Sequence, residues 1–88
     1  MRWRLSLLAL FLALASSAAD QSLTLKVEGW HSKGDGYKTE QAVRQVKGVR
    51  SASSDVTKRE LTVVFDTAAT SEAEVRKAIS AAGYLSHR

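Results

Sequence analysis

No cysteine occurs anywhere in this chain of 88 residues. Neither a disulfide nor a thiolate-bound metal can hold it together, so a domain this short must fold on its hydrophobic core alone. Catalytic thiols and thiol redox chemistry are excluded by the same fact. There is room for one domain only, because the first segment has the character of a targeting sequence.

Arg2 and Arg4 supply a positive start, Leu5 to Ala15 form an apolar run broken only by Ser6, and Ser16 to Ala19 are small. That order predicts a cleaved secretory signal over residues 1–19. A spanning helix needs about 20 apolar residues, and this run meets serines well before that, so no membrane span is expected after cleavage. Ser17 and Ala19 suit the small positions before the cut and make Asp20 the first mature residue. The predicted domain is residues 20–88, in the periplasm or secreted. Loss of Arg2 and Arg4 leaves 11 basic against 9 acidic side chains, a net charge of +2. So weak a surplus gives no case for nucleic acid.

From Leu23 to Val27 apolar residues alternate with Thr24 and Lys26, which predicts a strand with one buried face. Gly29 to Gly36 contains three glycines with Ser32 and Asp35 and reads as a loop. Thr39, Ala42, Val43 and Val46 fall at helical spacing and predict an amphipathic helix from about Tyr37 to Lys47, capped by Asp35 and stopped by Gly48. Val49 to Val56 is a weaker strand with Ala52, Ser54 and Val56 on one face, and Thr57 to Arg59 form a polar hairpin connection. Leu61, Val63 and Phe65 are the buried positions of the third strand. Ser71 and Glu74 have capping-box spacing, and Val75, Ala78, Ile79 and Ala82 give the stripe of a second helix that Gly83 ends. Tyr84 and Leu85 begin a short last strand. The order β-α-β-β-α-β predicts an α+β, ferredoxin-like fold, a four-stranded antiparallel sheet with two helices on one face.

The segment Gly29-Trp30-His31-Ser32-Lys33-Gly34-Asp35, the helix end Val46-Lys47-Gly48-Val49, the hairpin Lys58-Arg59-Glu60 and the ending Ala82-Gly83-Tyr84 together resemble heavy-metal-associated domains. That family includes the periplasmic mercuric-ion binding protein, copper chaperones and modules of metal-pumping ATPases, and the resemblance runs over about residues 22–86. The family's loop reads G-M-x-C-x-x-C, so Trp30 stands where methionine is usual, and Ser32 and Asp35 stand where the two cysteines belong. A serine hydroxyl stays protonated and is a poor ligand, while a carboxylate is a hard donor that competes weakly for Cu(I) or Hg(II). The resemblance also implies an aromatic ring at Tyr84 close to the loop.

The metal candidates are therefore His31 and Asp35, an imidazole and a carboxylate suited to Cu(II), Zn(II) or Ni(II). His87 would be a third donor if the last strand ended near the loop. The plainer account of the same residues is an exposed histidine beside a helix-capping aspartate. Trp30 either packs beneath the loop or stays exposed as a contact anchor. No nucleophile, base and acid stand at activating spacing, so no enzyme is expected.

Two functions stay open. One is an exported domain that weakly binds or transports a divalent metal ion without the usual thiolate pair. The other is a metal-independent protein-interaction module, monomeric, docking on an extracytoplasmic partner such as a metal transporter.

Overall fold

In the computed structural model, which describes residues 19–88, Leu23, Leu25 and Val27 turn one side of the first strand into the core while Thr24 and Lys26 stay exposed. The leader predicted over residues 1–19 lies outside the described residues except for Ala19. The elements follow in the predicted order: β1 Asp20–Glu28, α1 Lys33–Arg44, β2 Val49–Asp55, β3 Glu60–Asp66, α2 Glu72–Ala81 and β4 Leu85–His87. The strands form one sheet in the order β2-β3-β1-β4, every neighbouring pair antiparallel. Both helices cover one face, where Val43 of α1 and Val75 and Ile79 of α2 join Leu25, Val27, Leu61, Val63 and Phe65 in a single cluster. The other face carries Ser22, Thr24, Lys26, Thr62 and Ser53 and is open to water.

β1 begins at Asp20, three residues before the predicted Leu23. Asp20 pairs with Asp66, and the Ala19 carbonyl just before it accepts from the backbone N–H and the hydroxyl of Thr67 at 2.9 and 3.1 Å.

Other boundaries differ from the sequence expectation as well. Helix α1 starts at Lys33, four residues before Tyr37, because Ser32 takes the extended conformation of an N-cap and Asp35 lies in the first helical turn. Asp35 is thus not the cap residue, although its carboxylate does satisfy an amide, that of His31. The glycines that suggested a loop have another use: a Cβ on Gly36 would stand 2.7 Å from Ser54 Oγ and 2.8 Å from Val56 Cγ2, so a hydrogen there lets α1 lie against β2. The helix ends at Arg44 instead of Lys47, and Gln45 to Gly48 make the turn into β2, with Gly48 at φ +99°. β4 begins at Leu85, one residue after Tyr84, which is buried ahead of the strand. At α2 the serine half of the capping box forms, with Ser71 Oγ accepting from Glu74 N–H at 3.4 Å.

Candidate functional site

The loop between β1 and α1 leaves the sheet at Gly29, whose φ of +105° suits glycine, and whose α-carbon faces the Tyr84 ring closely enough that a Cβ would sit 3.2 Å from it. Trp30 then turns inward. Its ring is only 4% exposed, and its Nε1–H donates to Thr39 Oγ1 at 2.8 Å. The Thr39 hydroxyl donates in turn to the Asp35 carbonyl one turn back at 2.9 Å. A hydroxyl in mid-helix normally competes with the backbone; here it joins a buried indole to the first turn of α1. Trp30 therefore packs beneath the loop and is not an exposed anchor.

Asp35 closes the loop from the other side. Its Oδ2 accepts from the His31 backbone N–H at 2.7 Å, and its Oδ1 accepts from the Tyr84 hydroxyl at 2.8 Å. The His31 amide bond, then the Tyr84 bond, with smaller help from the charges of His31 and Lys38, hold its carboxyl below the ordinary 3.8. The same contact holds the Tyr84 phenol above its ordinary 10.0, so it stays protonated and donating. Lys38 Nζ lies 5.8 Å from the centre of the Tyr84 ring, within cation–π range. The aromatic that the family resemblance placed beside the loop is thus bonded into it.

The proposed donors are brought together unequally. His31 and Asp35 meet, but through the His31 backbone and not its exposed ring. Ser32 is exposed and makes no side-chain cap bond. His87 does not join them: in β4 it stands opposite Lys26, and its Nε2 lies 2.9 Å from Glu28 Oε2. Among the described residues no three histidine, aspartate or glutamate side chains are grouped to hold a metal ion.

Sequence reasoning missed Thr39, which it counted among the apolar positions of α1. It also missed Glu40, whose carboxylate accepts from the Ser54 backbone N–H at 2.8 Å and from the Ser54 hydroxyl. A threonine at the head of an otherwise apolar stripe was the only available sign of the first; nothing in the spacing announced the second.

The comparisons with known proteins agree with this layout. Residues 24–84 match the model of the heavy-metal-associated domain. Oxidised MerP from Ralstonia metallidurans CH34 is similar at 33% identity, over 78% of this chain and 96% of that one, with a TM-score of 0.75. A copper-binding domain from HMA7, a P-type ATPase, is similar at 26% identity, over 75% of this chain and 89% of that one, with a TM-score of 0.73. A putative copper-ion-binding protein from Bacillus anthracis str. Ames shares the fold at 23% identity, over 78% and 97%, with a TM-score of 0.75. No curated protein sequence matches the chain. With the family model matched over residues 24–84 and a similar fold at 33% identity in MerP, the chain belongs to the heavy-metal-associated domain family.

Proposed function

We propose that residues 20–88 are an exported metal-handling-family domain that works by docking on a protein partner through its loop end, and not by carrying a metal on that loop. The observation that supports this is the engagement of Asp35. Where the family has its second cysteine, both carboxylate oxygens are already bonded, to the His31 amide and the Tyr84 hydroxyl. These bonds take two of its lone-pair sites and tie it into the loop, and His31 and Asp35 alone are too few donors for tight metal binding. Beside the loop, Tyr37 stands 62% exposed on α1 next to Lys33, the sort of aromatic that anchors contacts. Two similar structures are described as parts of P-type ATPases, which makes a transporter a reasonable partner class. Export rests on the leader pattern of residues 1–19.

Titration of purified residues 20–88 with Cu(II), Zn(II) and Ni(II) tests this. The docking reading expects micromolar or weaker binding that His31→Ala leaves unchanged. One-to-one binding abolished by His31→Ala would establish the carrier reading instead, which the exposed imidazole of His31 favours. Export is tested by fusing residues 1–19 to a reporter active only outside the cytoplasm; a silent fusion would reject it.

A further inference from the structure

β2 is an edge strand. The outward N–H and C=O groups of such a strand are a ready template for another chain. On β2 these groups belong to Ala52 and Ser54, and two side chains of α1 reach them. Glu40 Oε2 accepts from the Ser54 N–H at 2.8 Å, and Arg44 Nη2 donates to the Ala52 carbonyl at 2.8 Å. The same Arg44 nitrogen lies 3.3 Å from Glu40 Oε1, so the pair, one turn apart, forms a single unit. One acceptor and one donor flanking Ser53 are what a neighbouring strand would offer there. Gly36 permits the approach, since any larger residue would push α1 off Ser54.

We propose that the β2 edge is a self-complementary strand-pairing site, kept closed by Glu40 and Arg44, whose partner when it is opened is a second copy of this chain. A copy laid antiparallel and centred on Ser53 sets Ala52 opposite its partner's Ser54, and both residues direct their N–H and C=O outward, so four hydrogen bonds match. Ser51 and Ser53 beside them are small and uncharged. Arg50 stays with Asp20 and Asp66 of its own chain, at 3.2 and 3.5 Å, and Asp55 falls opposite Ser51, so no like charges stand directly opposite across the pairing. The other edge, β4, has only three residues and offers no comparable length. This inference is independent of metal binding and of export.

Sedimentation velocity from micromolar to millimolar concentration tests it on residues 20–88, which contain every element of the core. The unaltered domain stays monomeric. Glu40→Ala with Arg44→Ala becomes a dimer whose population rises with concentration, with association at least tenfold tighter and the Ser54 amide protected from exchange in the dimer. Adding Ser53→Lys, which sets two like charges at the centre of the pairing, returns it to monomer. A double variant that is folded by circular dichroism yet monomeric at millimolar concentration overturns the proposal. Should the double variant not fold, Glu40→Met with Arg44→Met keeps the apolar stems and frees both the Ser54 amide and the Ala52 carbonyl. Dimerisation of that variant at millimolar concentration supports the proposal, and its absence overturns it.

Discussion

Asp35, in the first turn of α1, uses both carboxylate oxygens to close the loop, on the His31 amide and the Tyr84 phenol. Because its pKa is lowered on folding, the stability it contributes is fully present above its ordinary 3.8 and is lost as pH falls through the lower folded value. Glu72, bonded to Arg88, is shifted the same way, so the two must be separated by mutation. Thermal unfolding from neutral pH to below 3.8 is therefore expected to show a smaller acid-induced drop for Asp35→Asn than for the parent. Equal drops would remove Asp35 from the account. Thr39→Val is the second test at this scale. It keeps the shape but strands the buried Trp30 Nε1–H, at a cost of about 1–3 kcal/mol in denaturant unfolding. Trp30 is the one tryptophan of residues 20–88, so its fluorescence reports the same event directly.

Among the elements, β1 and β3 were legible in the sequence because one buried face imposes alternation; Leu23 to Val27 keep it without exception, and Leu61 to Phe65 depart from it only at the outward, half-buried Val64. α2 was legible from Ser71 and its stripe. The start of α1 was not, because Gly34 and Gly36 lower helix propensity locally, while what keeps Gly36 in the helix is a contact with β2 that no local pattern reveals. The two glycines should accordingly part company on mutation. Gly34→Ala meets only Ser32 Oγ at 3.4 Å and is expected to gain up to about 1 kcal/mol from helix propensity. Gly36→Ala meets Ser54 and Val56 below 3.0 Å and is expected to lose stability despite the same propensity gain. If both variants melt higher than the parent, the close approach of α1 to β2 is wrong. The candidate site was legible in position, through the resemblance at Gly29 to Asp35, but not in its bonding. Tyr84 and Asp35 are 49 residues apart, and their contact exists only once α2 has delivered the chain back to the loop.

At the scale of the whole molecule the fold holds together without the loop chemistry its family is known for. The core rests on Leu25, Val27, Val43, Leu61, Val63, Val75 and Ile79, all fully buried and none of them in the loop. Ile79→Ala should cost about 2–5 kcal/mol, well beyond any single change at Asp35. The correspondence of loop positions is tested by construction: Ser32→Cys with Asp35→Cys should create a tight site for Cu(I) or Hg(II), read by titration, and no gain would show that these residues do not occupy the ligand positions. One further consequence follows from the closure of the loop by Asp35, His31 and Tyr84. A loop fastened by oxygens and an amide offers no thiol for an oxidant to couple and no disulfide for a reductant to cleave. What loosens it is acid, acting on the Asp35 carboxylate, so its shape is indifferent to redox conditions and sensitive to protons.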